Sequence, residues 1–233
     1  METVLGSGIL MQSVRVEEFV GRAGDFHARE LPDDRAVHVW WFETDVEAIV
    51  LGSTQSDAVI DAEMCRRSGV DIVRRRSGGG VVHLTKSGIA WLDVVIPVEH
   101  PLWDRDVTTS SFWLGEAWIE ALSSFGIEGL HQHRDRLERS VTSDLVCFAG
   151  KGPGEVFLDD GAKVVGISQR RTRSHARFQC AVSLKWDPVR LLELLNEPKP
   201  DLADLLNAGS SISVDREQLI ARTTASVIER LKA

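Results

Sequence analysis

The sequence predicts an α+β fold, because strand-like and helix-like segments are mixed without the regular alternation of a doubly wound parallel sheet. The run from Ile89 to Ile96 is the most apolar strand candidate, and Pro97 ends it. A helix with an apolar face is expected from Thr109 to Phe125. Asp160-Gly161 lies between two alternating apolar runs, which is a strong hairpin signal.

The other elements follow from the same local signals. Runs of β-formers predict strands, an aspartate before an apolar period predicts a helix start, and Gly, Pro and Ser clusters predict loops. Residues 1–35 show no clear period, and 27–35 indicate a loop. Strands are expected at 36–42, 48–51, 70–73, 155–158, 163–168 and 176–184; helices at 57–67, at 188–195 and after Asp215; and a linker or surface loop at 196–212.

Composition narrows the class of protein. The 233 residues, with 43% hydrophobic and 27% charged side chains, are typical of a soluble globular protein with a real core. The net charge of -8 is opposite in sign to that of proteins that coat nucleic acid, so nucleic acid is not an expected partner. Three cysteines without a Cys-x-x-Cys pair favour a reducing, cytoplasmic location. Neither a signal peptide at Met1–Val4 nor a membrane span is expected.

The most informative stretch is Val73-Arg74-Arg75-Arg76-Ser77-Gly78-Gly79-Gly80-Val81-Val82-His83, with a β-type run on each side. Successive glycines let backbone N–H groups approach a ligand, and a concave row of such groups binds anions. Nearby arginines add charge and a bidentate fork. The alternative is a glycine-rich turn with arginines in solvent. A second basic patch, residues 169–173 with Arg177, adds to the case for an anionic ligand.

The second strand of the predicted hairpin carries a lysine. Strict alternation would place Lys163 on one face with Val165 and Ile167, and Gly166 with Ser168 on the other. A lysine beside branched aliphatic residues is a strong point charge for a carbonyl or phosphate oxygen. Gly166 leaves room for a ligand. The alternative is that Lys163, next to a turn, points into water.

The three cysteines are interpreted differently. Cys147, between apolar residues, is either a packing group or a nucleophile, the latter if a neighbour such as Lys151 or Lys163 lowers its pKa. Cys65 and Cys180 are expected to be structural. His131-x-His133 lacks a third ligand, so no metal site is predicted.

Taken in order, these segments resemble the lipoate–protein ligase and octanoyltransferase family, which shares a catalytic domain with biotin–protein ligase. The resemblance rests on residues 50–55 (Val-Leu-Gly-Ser-Thr-Gln), on 69–83 with the arginine–glycine run, and on the lysine hairpin 161–171. It spans roughly residues 36–185. Two separated motifs in the right order are more specific than either alone.

The resemblance implies a mixed β-sheet flanked by helices and a narrow apolar tunnel for an eight-carbon acyl chain. A single catalytic domain would fill 1–233, with its core at about 36–185 and helices in 186–233. Lys163 would contact the acyl carbonyl and the adenylate phosphate. The residues implied in binding the substrate or acyl-adenylate are Arg75, Arg76, Ser77, Gly78, Gly79, Gly80, His83, Gly166 and Ser168.

In the ligase activity that the resemblance implies, ATP with Mg activates lipoate or octanoate as an acyl-adenylate. A lysine of a lipoyl carrier domain, from a 2-oxoacid dehydrogenase or glycine cleavage complex, then attacks the carbonyl. Two segments depart from the family pattern. His83 continues to Leu84 and Thr85 instead of His-Asp-x-Gly-Asn, and Phe178-Gln179-Cys180 replaces a His-Gly pair. The chain also leaves no room for the accessory C-terminal domain, so a separate accessory chain would supply adenylation.

Two alternatives stay open. Some transferases of the family use a cysteine in a Cys-Phe pair before the lysine hairpin, and Cys147-Phe148 stands at that place. Such an enzyme would take octanoyl from acyl carrier protein without ATP. The second alternative is a non-catalytic paralogue that binds an anion or a nucleic acid through the two arginine patches.

Overall fold

The computed structural model describes residues 13–232, and the expectation about Met1–Val4 lies outside them. The strands of this part of the chain are β1 (Val14–Gly21), β2 (Val37–Thr44), β3 (Ala48–Leu51), β4 (Asp71–Arg74), β5 (Val82–Leu84), β6 (Ile89–Pro97), β7 (His131–Gln132), β8 (Val156–Phe157), β9 (Lys163–Arg171) and β10 (His175–Ser183). The helices are α1 (Ala23–Ala28), α2 (Ala62–Ser68), α3 (Phe112–Ser123), α4 (Val141–Leu145), α5 (Pro188–Glu193), α6 (Leu202–Leu206) and α7 (Arg216–Lys232). Single 3₁₀ turns cover Asp57–Val59 and Cys147–Ala149.

The strands form a large and a small sheet, and the predicted α+β class with a mixed sheet flanked by helices is confirmed. The large sheet has the order β1-β2-β6-β10-β9-β8-β7, and the small sheet has the order β4-β3-β5. In the large sheet β1 runs parallel to β2, and the other neighbours are antiparallel. In the small sheet β3 is parallel to β4 and antiparallel to β5.

Apolar side chains join the sheets and helices in layers. One cluster packs α3 and α7 on the large sheet, and there Trp41 of β2 meets Trp118 of α3 edge-to-face, with 6.0 Å between ring centroids. A second cluster joins the two sheets and α1, through Phe26, Val50 and Trp91. A third covers the other side of the small sheet with α2, α5 and α6. No helix among residues 13–232 is both long and apolar enough to cross a membrane.

Three predicted segments need correction. The helix expected at 57–67 is a 3₁₀ turn followed by α2, because the Asp61 side chain accepts a 2.8 Å bond from Met64 N and starts a new helix there. The loop expected at 196–212 contains α6, whose Leu205 is buried. The segment without a clear period before residue 36 contains β1 and α1, so residues 27 and 28 of the loop expected at 27–35 are helical and the loop covers 29–36.

Candidate active site

Two cavities meet at one set of residues. The inner cavity measures about 490 Å³ with its opening and has mainly apolar walls from both sheets, including Val50, Leu84 and Trp91. The outer cavity, about 1380 Å³ with its opening, has polar walls that include the glycine loop, defined as residues 77–80. The residues that line both cavities, here called the junction, are Cys147, Glu155, Ile167 and Ser168. The apolar inner cavity therefore meets the polar outer cavity at the junction, which includes Cys147.

The three consecutive arginines, of which Arg74 ends β4, make three different sets of contacts. Arg74 donates to the carbonyls of Gly52 and Gln55, both at 2.7 Å, and fixes the loop after β3. Arg75 is buried and donates to the carbonyls of Gly78 (2.9 Å) and Gly80 (2.8 Å), so it holds the glycine loop from within. Its guanidinium also lines the inner cavity.

The structure does not bring every predicted binding residue to the cavities. Arg76 turns outward and pairs with Glu30 at 3.0 Å. His83 bonds Glu47 at 2.7 Å, and Glu47 in turn pairs with Arg190, so His83 belongs to a separate cluster behind the small sheet. Burial lowers the pKa of His83. Neither Arg76 nor His83 lines the inner or the outer cavity.

The glycine loop packs closely on Cys147, because Gly79 and Gly80 carry no side chains at the contact. Gly79 has φ of +102°, which disfavours any side chain, and a Cβ there would lie 3.5 Å from Cys147 Sγ. A Cβ at Gly80 would lie 2.7 Å from the Cys147 nitrogen. Cys147 N donates to the Val81 carbonyl at 3.0 Å, so the loop and the cysteine share one backbone connection.

The Lys163 side chain approaches Cys147 from strand β9, opposite the glycine loop. Its orientation differs from the one that strict alternation along the strand predicts. Val156 pairs with Val165 and Phe157 with Lys163, so β9 carries one extra residue, a β-bulge. The predicted grouping of Lys163 with Val165 and Ile167 is therefore wrong, because the bulge moves Lys163 to the face of Gly166. A Cβ at Gly166 would lie 3.7 Å from Lys163 Cδ. The side chain is 1% exposed and does not point into bulk water.

The Lys163 ammonium contacts the residue that carries the thiol. Nζ donates to the Cys147 carbonyl oxygen at 2.9 Å and pairs with Glu155 Oε2 at 2.7 Å. The aromatic rings of Phe148 and Phe157 lie 5.6 and 5.7 Å from Nζ. A charged amine is thus fixed in an apolar setting beside a half-buried cysteine, where its field is weakly screened.

Sequence reasoning missed Glu155. It stands between Gly154 and the short strand β8, and it is 3% exposed. No local motif marks it; the available signal is a lone carboxylate at the start of a hairpin whose other strand carries a lysine. The hydroxyl of Ser168, a junction residue, lies 3.1 Å from the hydroxyl of Ser77 in the glycine loop.

A polar cluster borders the inner cavity and was also missed. Asp93 and Arg177, both buried, form a 2.5 Å ion pair, and Gln179 donates to Asp93 at 3.3 Å. Gln179 Nε2 lies 3.4 Å from Nδ1 of His27, which also lines the cavity. Burial, followed by the charges of Arg75 and Arg177, lowers the pKa of His27 to about 3, so His27 stays neutral. Arg177, which the sequence groups with residues 169–173 as a second basic patch, is instead buried and pairs with Asp93.

Comparison with known proteins was consistent with this geometry. The family described as lipoyl protein ligase A/B catalytic domain matches residues 25–217. The chain is 27% identical over 146 residues to an octanoyltransferase LipM from Clostridioides difficile, which covers 62% of this chain and 52% of the relative. It is 30% identical over 142 residues to octanoyltransferase LipM from Carboxydothermus hydrogenoformans, at 58% and 48% coverage. The chain thus spans about half the length of these curated relatives.

Solved structures show the same fold. A bi-partite lipoate protein ligase from Thermoplasma acidophilum, studied with its E2 lipoyl domain, superposes with a TM-score of 0.71 at 15% identity, covering 94% of this chain and 84% of the other. The family match covers most of the chain, so this protein belongs to the lipoyl protein ligase A/B catalytic domain family. The predicted family resemblance is confirmed.

Proposed function

We propose that this protein is a cysteine-dependent octanoyltransferase of the cytoplasm, which moves an octanoyl group from an acyl carrier protein to a lysine of a lipoyl carrier domain. The observation that carries the proposal is the position of Cys147, which lines both the apolar and the polar cavity, with Lys163 bonded to its carbonyl. The names of the two LipM relatives support octanoyl as the group.

The proposed reaction has two balanced steps. The Cys147 thiolate attacks the carbonyl carbon of the octanoyl thioester, and the donor sulfur leaves as a thiolate that takes a proton from water. The neutral amine of the carrier lysine then attacks the new thioester; the amide forms, the Cys147 sulfur leaves as a thiolate, and the amine proton passes to water. In both steps negative charge develops on the carbonyl oxygen, which the fixed Lys163 ammonium would stabilise.

The two cavities suit the two halves of the substrates. The inner cavity, with its apolar walls, would hold the acyl chain, and its burial supplies about 0.8 kcal/mol for each methylene. The outer cavity, which opens beside the glycine loop, would admit first the donor arm and then the carrier lysine. Ser77, Gly78, Gly79, Gly80 and Ser168 would shape this path, while Arg75 and Gly166 would border the acyl chain in the inner cavity.

The ligase activity with ATP and Mg remains the second candidate, supported by the fold shared with the T. acidophilum ligase. The donor set near the junction does not fit a magnesium ion. Glu155 already accepts bonds from Lys163 and from two backbone N–H groups. Among residues 13–232 no three His, Cys, Asp or Glu side chains are grouped to hold a metal.

One assay separates the candidates. The purified protein is incubated with an apo lipoyl domain and either octanoyl-acyl carrier protein or lipoate with Mg-ATP, and the mass of the lipoyl domain is measured. Transfer in the first arm, lost in Cys147→Ala and kept in Cys65→Ala, supports the transferase. Cys65 is a matched control because it lies on the buried face of α2, away from both cavities. Transfer only in the second arm would establish the ligase instead.

A further inference from the structure

The Glu155 carboxylate is surrounded by hydrogen-bond donors. Oε2 pairs with Lys163 Nζ at 2.7 Å and accepts from Gly152 N at 2.6 Å. Oε1 accepts from Ile167 N at 3.2 Å. The two backbone donors come from the two sides of the hairpin, so Glu155 links the loop before β8 to β9 at the junction.

This donor shell defines what Glu155 can do. A side-chain amide at this position would aim its NH₂ group at an ammonium or at a backbone N–H, because every neighbour of the carboxylate is a donor. The site therefore requires a carboxylate with its full negative charge. With its oxygens already bonded, Glu155 is poorly placed to accept a proton from a substrate.

The negative charge of Glu155 offsets the cost of burying the Lys163 ammonium. This ammonium is removed from water and lies between two aromatic rings, where an unpaired cation is costly. An ammonium has three donors, and two of them are used by Glu155 and by the Cys147 carbonyl. Lys163 also lines the outer cavity, so its remaining donor is available to a bound carbonyl oxygen.

We propose that Glu155 is a positioning residue that keeps Lys163 protonated and fixed on the main chain of Cys147, so that Lys163 acts as a hydrogen-bond donor and cation rather than as a base. This inference rests on the proposed function of the junction. The Glu155 carboxylate thus acts on the reaction through Lys163 and does not contact the substrate.

The first test does not depend on acyl transfer. The rate of Cys147 alkylation by iodoacetamide is measured against pH by peptide mass spectrometry, in the wild type, Glu155→Gln and Glu193→Gln. Glu193 is a matched control, since it is an exposed glutamate that pairs with Arg190 at 2.9 Å outside both cavities.

If Lys163 loses its proton without Glu155, the alkylation profile of Glu155→Gln moves to higher pH. A shift to lower pH would overturn the proposal, because it would mean that Lys163 keeps its charge and that only a nearby anion has been lost. An unchanged profile would overturn it as well.

The second test uses the transfer reaction. For Glu155→Gln we expect kcat to fall by about 10²-fold, with KM for the octanoyl donor nearly unchanged and with the alkaline limb of the pH profile moved to lower pH. Glu155→Asp keeps the charge, so its pH profile should keep the wild-type position even if its kcat is lower.

If Glu155→Gln does not fold, the Glu155→Asp variant decides alone, and a displaced pH profile in that variant contradicts the proposal. A wild type that is inactive in both transfer arms refutes the proposed function, while the alkylation result still judges the role of Glu155.

Discussion

The hydroxyls of Ser77 and Ser168 lie 3.1 Å apart although 91 positions separate them in the chain. Ser77 begins the glycine loop and Ser168 lies on β9, so this contact joins the two motifs that the sequence presents separately. The acyl-transfer proposal needs both motifs at one cavity, and the serine pair is the direct measure of their closeness.

The serine pair should show energetic coupling. In a double-mutant cycle with Ser77→Ala and Ser168→Ala, the free energies of unfolding in urea should be non-additive by about 1 kcal/mol, because the second substitution removes a hydrogen bond that the first has already broken. Strictly additive losses would contradict the contact.

Gly80 should be far less replaceable than Gly78. A Cβ at Gly80 would lie 2.7 Å from the Cys147 nitrogen, whereas one at Gly78 meets no atom within 4 Å. Urea unfolding of Gly80→Ala should show a loss of about 1–3 kcal/mol through overpacking. Gly78→Ala, the matched control for this stability measurement, should change the free energy of unfolding by less than about 0.5 kcal/mol. Equal losses would mean that the loop does not pack on Cys147 as described.

Removing either partner of the Lys163–Glu155 ion pair should lower the free energy of unfolding strongly. Lys163→Met leaves a buried carboxylate without its cation, and we expect it to destabilise the protein by about 3–5 kcal/mol. Adding Glu155→Gln to Lys163→Met should recover part of that loss, because no uncompensated charge remains. Octanoyl transfer should be lost in both variants. A double variant that unfolds as easily as the sum of the single variants would show that the two charges do not interact.

His27 should make the fold sensitive to acid. Its folded pKa, about 3, lies below the ordinary value of 6.5, so the unfolded state binds more protons between these pH values. Stability contributed by neutral His27 is complete above pH 6.5 and falls by about 1.4 kcal/mol for each pH unit below it. His27→Gln should therefore lose about 2 kcal/mol less than the wild type when urea unfolding is compared at pH 6.5 and pH 5. The other histidines are common to both proteins and cancel. Identical pH dependence would contradict the buried, neutral state of His27.

Much of the fold follows from local patterns. The strands at β2, β3, β6 and β10, the helices α3, α5 and α7, and the hairpin turn before Lys163 lie where apolar periods and turn residues predict them. Long-range geometry is what the sequence did not reveal. The β-bulge opposite Val156 and Phe157 reverses the facing of Lys163, and it depends on how two strands pair rather than on either strand alone.

In the candidate site, too, local sequence patterns did not reveal which distant residues pair with each other. The run of arginines and glycines indicated an anion site, yet Arg75 bonds the loop itself and Arg76 pairs with Glu30, because each guanidinium takes the nearest carbonyl or carboxylate. Asp93 in an apolar strand was a visible signal of a buried partner, which proved to be Arg177. Glu155 gave no such signal, since one carboxylate near a turn is ordinary in any sequence.

The most direct measurement is the intact mass of the protein after incubation with octanoyl-acyl carrier protein in the absence of a lipoyl domain, followed by peptide mapping at low pH. We expect one octanoyl group on Cys147, as a thioester that hydroxylamine releases and that an added lipoyl domain consumes. Octanoyl transfer to the lipoyl domain at the wild-type rate by Cys147→Ala, with no acylated cysteine in the wild type, would contradict it.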